Sequence, residues 1–165
     1  SMNGGSIRIF ISNNNLNLII NKKNIDKIIS LEKRILRSPS NTFKNFRKNI
    51  ELSRKNLFTY ILKLKKMGKI IHIYGASTKG NIILQYCKLD NNFIEFAADR
   101  NKDKIGKKTA GTNIKIISEK MSRKMNPDFY LVMPWHFKAE FIKREKTFLR
   151  KGGKFIFPLP KVTVI

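Results

Sequence analysis

The sequence predicts an α/β fold: two N-terminal helices, then an open, mostly parallel sheet with helices on both faces. Three observations predict it. Short apolar runs at 70–74, 93–98, 114–117, 129–133 and 154–157 are too brief for helices and rich in β-branched or aromatic residues. Segments of helical period separate several of them, at 79–89 and 137–150. The first run ends in a turn bounded by Gly75 and Gly80 that opens directly into Ile82, Ile83 and Tyr86 at helical spacing. Alternation of this kind builds a parallel sheet covered on both sides.

Each element follows from local chemistry. A helix is expected from Asn24 to about Arg37, with Ile25, Ile28, Ile29, Leu31 and Ile35 on its apolar side. Ser38-Pro39-Ser40 ends it, because proline disfavours helical geometry in the residue before it. Ser40 then caps a long helix to Met67, whose Phe43, Phe46, Ile50, Leu57, Ile61 and Leu64 stack on one core-facing side. Gly68 closes it as a C-terminal glycine. Phe137, Phe141, Ile142, Phe148 and Leu149 supply the inner side of helix 137–150, and Gly152-Gly153 turns the chain into the last run.

The glycine-bounded turn holds the first candidate chemistry. Gly75 permits a sharp exit and Gly80 a close backbone approach, since neither carries a Cβ. Ser77, Thr78 and Lys79 supply two hydroxyls and an ammonium at a helix start, where unpaired N–H groups favour an anion. Asn81 stands where a P-loop needs lysine, so this is no P-loop, and the central glycine of GxGxxG is missing. Asp99, 24 residues after Gly75, is placed to accept a ribose hydroxyl. The plainer alternative is a tight structural turn beside a surface lysine. Ligands of open parallel sheets bind beyond the carboxyl ends of the strands. Four segments are expected to converge there: 75–81, Asp99-Arg100-Asn101, the Thr109–Asn113 loop, and Pro134-Trp135-His136-Phe137.

Composition narrows the function classes. A chain of 165 residues suits one domain, and its single cysteine, Cys87, excludes a disulfide framework or thiolate metal cluster. Cys87 is expected on the inner face of the helix after the turn, and His72 as a packed or edge residue. The net charge of +24 raises nucleic-acid binding, yet the lysines are scattered among Asn, Ile and Phe without a recognisable nucleic-acid motif. No specific nucleic-acid partner is expected, though non-specific polyanion binding at low salt is. No signal peptide and no apolar run of about 20 residues is visible, so a soluble, cytoplasmic chain without a membrane partner is expected.

Several motifs occur in one order: Tyr74-Gly-Ala-Ser-Thr-Lys-Gly-Asn81, Asp99-Arg-Asn101 with Lys104-Ile-Gly106, Thr109-Ala-Gly-Thr112, and Pro127-Asp128-x-x-Leu131. Trp135-x-Phe137 and Gly152-Gly-Lys-Phe-Ile-x-Pro158 complete the set. Together they resemble the C-terminal domain of nucleotide-sugar (deoxysugar) C-methyltransferases over nearly the whole chain. Ala110 and Asn113 depart from the family's usual proline and histidine.

The resemblance implies a larger enzyme with a zinc-binding N-terminal domain, a central S-adenosylmethionine domain and this Rossmann-like C-terminal domain. Its activity would be methylation of a deoxysugar carbon. Residues 1–2 read as a cloning scar, 3–23 as the end of the preceding methyltransferase domain and linker, and 24–165 as the C-terminal domain. The Gly4-Gly5-Ser6-Ile7-Arg8 opening is read as the strand that ends the preceding domain. On that reading no cofactor, metal or catalytic residue belongs to this fragment, which should be inactive alone. Its partners would be the nucleotide-sugar and the missing domains.

Substrate contacts fall to Gly75, Ser77, Thr78, Lys79, Gly80 and Asn81 around the anionic part, and to Asp99 and Arg100 near the ribose. Trp135 would stack on a base or sugar and His136 hydrogen-bond the sugar. The plain alternatives are helix caps for Ser77 and Asn81, an Asp99–Arg100 ion pair, a packed Trp135 and a surface His136. Two other functions compete: a stand-alone nicotinamide- or nucleotide-binding module, and a basic nucleic-acid-binding adaptor.

Overall fold

The structure, a computed structural model, describes residues 7–13 and 21–165. The expected scar at Ser1-Met2, the opening Gly4-Gly5-Ser6 and the Asn14-Asn15 part of a polar break lie outside the described residues. Ile7 to Ile11, read as a strand-like alternation, take no regular structure and are exposed. Alternation becomes a strand only when a ladder partner takes up its backbone groups, and none does so among the described residues.

The chain divides into two units, Ser1–Ile50 and Glu51–Ile165. In the first, α1 (Lys22–Ile35) starts at Asn21, whose side chain accepts the Asn24 N–H at 3.2 Å. The helix α2 (Pro39–Lys66) begins here and runs into the second unit. Its cap differs from the expectation: Pro39 occupies the first helical position, where its missing N–H costs nothing, and Ser38 precedes it. Phe43 and Phe46, expected in the core, are each 62% exposed, and α1 buries no residue. Helical spacing reveals a common face but cannot reveal what covers it.

In the second unit, α2 buries Leu57, Ile61 and Leu64 and ends at Gly68, whose φ of +70° is one that residues with a Cβ rarely adopt. The order that follows is β1 (Ile71–Tyr74), α3 (Thr78–Cys87), β2 (Phe96–Asp99), β3 (Lys115–Ser118), α4 (Glu119–Lys124) and β4 (Phe129–Val132). Helices α5 (Lys138–Arg144) and α6 (Lys146–Arg150) then lead to β5 (Lys154–Phe157) and β6 (Thr163–Val164). The sheet order is β3-β2-β1-β4-β5-β6. All neighbouring pairs are parallel except β5–β6, and residues 106–108 bridge antiparallel to β3 through Lys108 and Lys115. The chain reverses its direction of growth between β1 and β4, the crevice where doubly wound sheets bind ligands.

Strand alternation sorts the core into two layers. Ile71, Ile73, Ala97, Ile116, Leu131 and Ile156 face one layer with Leu57, Ile61 and Leu64 of α2 and Leu84 and Cys87 of α3. Tyr74, Ala98, Tyr130, Val132, Phe155 and Phe157 face the other with Phe141, Ile142 and Phe148. Cys87 is on the inner face as expected, and burial pushes its thiol up to about 11, with Arg54 opposing slightly. No helix among the described residues is long and apolar enough to cross a membrane.

His72 is a packed residue, fully buried on the second face. Its Nδ1 lies 2.8 Å from Ser122 Oγ, which in turn lies 2.8 Å from the Tyr130 hydroxyl. Nε2 has no partner among the described residues, and the imidazolium, which carries hydrogen on both ring nitrogens, would hold a buried N–H there without an acceptor. Burial lowers the imidazole pKa, and the Glu95 charge opposes this only in part. The unfolded chain therefore binds this proton more readily. The stability due to neutral His72 is complete above the unfolded value near pH 6.5 and is lost as the pH falls through the lower folded value. Urea unfolding should accordingly show stability falling from pH 7 to pH 5, with a smaller fall in His72→Gln. Identical slopes in the two proteins would place the proton uptake elsewhere.

Beyond shifts of one or two residues at element ends, four differences from the sequence expectation stand out. β2 starts at Phe96 rather than Phe93, because the Asp90 carbonyl takes the amides of Phe93 and Ile94 in a turn. Helix α4, capped by Ser118 Oγ to the Met121 N–H at 3.1 Å, fills a stretch assigned no element. The single helix expected over 137–150 is a 3-10 turn, Trp135–Phe137, followed by α5 and α6, with a break at Glu145 (φ −103°, ψ 28°). The two-residue β6 is too short to carry an alternation pattern.

Candidate functional site

A cleft of about 300 Å³ opens at the carboxyl ends of β1, β2 and β4. Its middle is made by Tyr74, Gly75 and Ser77 after β1. Asp99, Arg100 and Lys104 form the β2 side, with Glu119 at the start of α4. Pro134, Phe137, Glu140, Phe141 and Arg144 form the β4 side.

The turn after β1 is built for close packing. A Cβ on Gly75 would stand 2.8 Å from Pro134 Cγ, and one on Gly80 2.7 Å from Met133 Cβ. Both glycines thus admit the chain leaving β4, and for Gly75 a φ of +83° adds a second requirement. Much of the donor capacity expected for an anion is used internally. Ala76 N–H donates to Asp99 Oδ2 at 2.9 Å, Ser77 N–H to the Gly75 carbonyl at 2.9 Å, and Gly80 N–H to Ser77 Oγ at 3.0 Å. Ser77 is therefore a helix cap as well as a cleft residue.

Asp99 is not paired with Arg100. It accepts the amides of Ala76 (2.9 Å) and Asn101 (2.8 Å), and Lys104 Nζ lies 3.5 Å away. Lys104 also donates to the Ala76 carbonyl at 2.9 Å, tying the β2 exit to the β1 turn. Arg100 is exposed and makes no ion pair among the described residues.

The floor is an ionic network with no local sequence signature. The Tyr74 hydroxyl donates to Glu145 Oε1 at 2.7 Å and accepts from Arg144 Nε at 2.9 Å, with a further contact from Arg144 Nη2. Arg144 also binds Glu119 at 2.9 Å, and its guanidinium carbon lies 5.1 Å from the ring centres of both Tyr74 and Phe141. Arg123 reaches both Glu119 (2.9 Å) and Glu145 (Nε to Oε2, 3.0 Å). Burial drives the Tyr74 phenol far above its ordinary range; Arg144 opposes this, while Glu145 and Glu119 add to it. Tyr74 stays neutral, a hydrogen-bonding spacer rather than an acid or base. Burial favours the protonated form of Glu145, but hydrogen bonds from Arg123 and Tyr74 and the two guanidinium charges outweigh it and hold the pKa below the usual carboxylate value.

Of the expected site residues, Gly75, Ser77, Asp99 and Arg100 line the cleft. Thr78, Lys79, Gly80 and Asn81 form the first turn of α3 beside it and do not line it; Thr78 and Lys79 are exposed. Trp135 is half-buried against the second core layer, and the His136 ring lies tilted against Phe137 with ring centres 4.4 Å apart. The Thr109–Asn113 loop is at the other end of the sheet. It precedes β3, so it lies at the amino edge, where the Thr109 and Thr112 hydroxyls pair at 2.7 Å and Gln85 Nε2 donates to the Ala110 carbonyl at 2.8 Å. Convergence of four segments therefore reduces to three. Lys104, Glu119, Glu140 and Arg144 escaped sequence reading; only Lys104 carried a signal, in Lys104-x-Gly106 after Asp99.

Residues 1–160 match the family model of the C-methyltransferase C-terminal domain. The chain belongs to that family. A C-methyltransferase, NovU of Streptomyces niveus, is 41% identical over 98 residues, which are 59% of this chain and 23% of that protein. The matched part of this C-methyltransferase C-terminal domain thus spans under a quarter of that relative's length. Among the described residues no group of three or more His, Cys, Asp or Glu side chains could hold a metal ion.

Proposed function

We propose that this domain holds the nucleotide-sugar for an S-adenosylmethionine-dependent sugar C-methyltransferase, a cytoplasmic enzyme of which this chain is a piece. The supporting observation is the cleft at the β1–β4 crossover, which combines three cations, three carboxylates and an exposed aromatic ring in a volume at the small end for a ligand pocket. S-adenosylmethionine would bring a methyl group on a sulfonium cation. The cleft sets three cations against three carboxylates and has no acidic surplus to attract that charge, so we assign the cofactor to another part of the protein. Zinc is assigned elsewhere too, because the described residues offer no ligand set for it.

In this scheme the domain contributes binding and orientation. Gly75 and Ser77 shape the middle of the cleft, Asp99 fixes the β1 turn with one lone pair to spare for a ribose hydroxyl, and Phe137 offers a ring face. Trp135 and His136 hold the segment that carries Phe137. Docking to the rest of the enzyme would bring the sugar to the methyl donor.

The β3-β2-β1-β4-β5-β6 order is shared with dinucleotide-binding folds and keeps the nicotinamide-binding reading in view. Titration of this chain at physiological salt with a nucleoside diphosphate, a nicotinamide dinucleotide, S-adenosylmethionine and a DNA duplex tests the proposal. The nucleoside diphosphate should bind at least weakly. S-adenosylmethionine should not bind, and the DNA complex should lose about 10³-fold or more in affinity between 50 and 200 mM salt. A stoichiometric micromolar complex with S-adenosylmethionine, or tight salt-resistant DNA binding, would overturn it.

A further inference from the structure

Resting on the nucleotide-sugar reading, we infer that the cleft orients its ligand by polarity. Arg100 and Lys104 on the β2 side take the diphosphate, and Glu140 on the β4 side takes the sugar hydroxyls. The two sides stand apart because β2 and β4 flank β1. At about 4.8 Å between neighbouring strands they are about 10 Å apart, enough to separate a diphosphate from the ring it carries.

The assignment follows from which charges are committed. Arg144 and Glu119 line the cleft, but Arg144 is bound to Glu119 and the Tyr74 hydroxyl and stacked near two rings, and Glu119 is shared by two arginines. Arg100 and Glu140 line the same cleft, are exposed, and have no ion pair among the described residues. Lys104 uses its ammonium on the Ala76 carbonyl and weakly on Asp99, leaving a third donor. A phosphate beside Glu140 would be repelled, whereas a hydroxyl there would donate to it. The cleft therefore disfavours a ligand with anionic groups at both ends and fits one that is anionic at one end and hydroxylated at the other. Lys79, outside the lining, has no part in this.

The test uses NMR amide-shift titrations of this chain with pyrophosphate, uridine diphosphate and uridine-diphosphate glucose. Arg100→Ala and Lys104→Ala should weaken all three by roughly tenfold to a hundredfold, the scale of a charged hydrogen bond. Glu140→Gln should weaken only the glucose ester and leave pyrophosphate equal or tighter. Lys79→Ala is the comparison, and thermal unfolding of each variant reports its folding. Because Lys104 also supports the β1 turn, Arg100→Ala decides the case if Lys104→Ala unfolds.

If the parent chain binds none of the probes, the nucleotide-sugar reading falls. If it binds them and Lys79→Ala weakens pyrophosphate while Arg100→Ala does not, that reading stands and this assignment is wrong. Equal losses of all three probes in Glu140→Gln would overturn the orientation.

Discussion

Phe155→Ala should destabilise the folded domain by about 3–5 kcal/mol, the usual cost of emptying a buried aromatic site. Phe155 is fully buried at the centre of the second core layer. Its ring centre lies 5.7 Å from Tyr74, 6.2 Å from Tyr130, 5.7 Å from Phe148 and 5.9 Å from Phe157. Truncation removes the one ring common to these four and leaves a gap between sheet and helix that rigid strands cannot close. Phe155→Leu, which keeps most of the volume, should lose markedly less. Urea unfolding measures both. A loss below about 1 kcal/mol for alanine would mean that α6 does not seal this layer.

Glu145→Ala should be the most damaging change to the polar part of the molecule. The carboxylate is 5% exposed and serves Tyr74 and Arg123 directly, with Arg144 Nε 3.6 Å away. Removing it strands a buried phenol and leaves two guanidiniums with Glu119 alone. Breaking a buried pair from one side costs about 3–5 kcal/mol, but Arg123 and Arg144 keep partial access to water, so about 2–3 kcal/mol is expected. Glu145→Gln should lose less, because an amide oxygen can still accept from Tyr74. The loss has a pH signature. The folded pKa is depressed, so the carboxylate's contribution is present above its ordinary value and disappears as pH falls through the folded value. The gap between parent and Glu145→Ala should therefore narrow in acid. A gap unchanged from pH 7 to pH 3 would show that packing, and not charge, accounts for the loss.

The fold was legible because the parallel strands are short apolar runs separated by turn chemistry, and Gly75, Gly68 and Gly152 mark changes of direction that only positive φ permits. The misread parts share a cause. At 137–150 the apolar period continues through Glu145, so nothing local announces that the helix breaks where this side chain meets Tyr74, 71 positions earlier. Phe43 and Phe46 carry the same periodicity as Leu57 and Ile61, yet only the latter pair is buried.

In the site, Gly75, Ser77, Asp99 and Arg100 were legible from strand-end position. Arg144 and Glu119 were not, since their pairing spans 25 positions and leaves no spacing to read. The Thr109–Asn113 loop was assigned to the wrong end although its order was plain: a loop that precedes a parallel strand meets the opposite edge from one that follows it.

The short antiparallel additions at the two margins of the sheet bear on solubility. An open parallel sheet ends in rows of unpaired amides and carbonyls, which template pairing with another chain. Here β5 is followed by the two-residue β6, with reciprocal bonds between Phe155 and Ile165 at 2.8 and 3.0 Å. On the far side, residues 106–108 take up groups of β3 and set Lys107, Lys108 and Lys115 along the rim. Neither margin offers a long, flat, uncharged ribbon. For a chain this rich in isoleucine and phenylalanine, guarding the margins limits the simplest route to fibrous aggregation, the joining of sheets edge to edge.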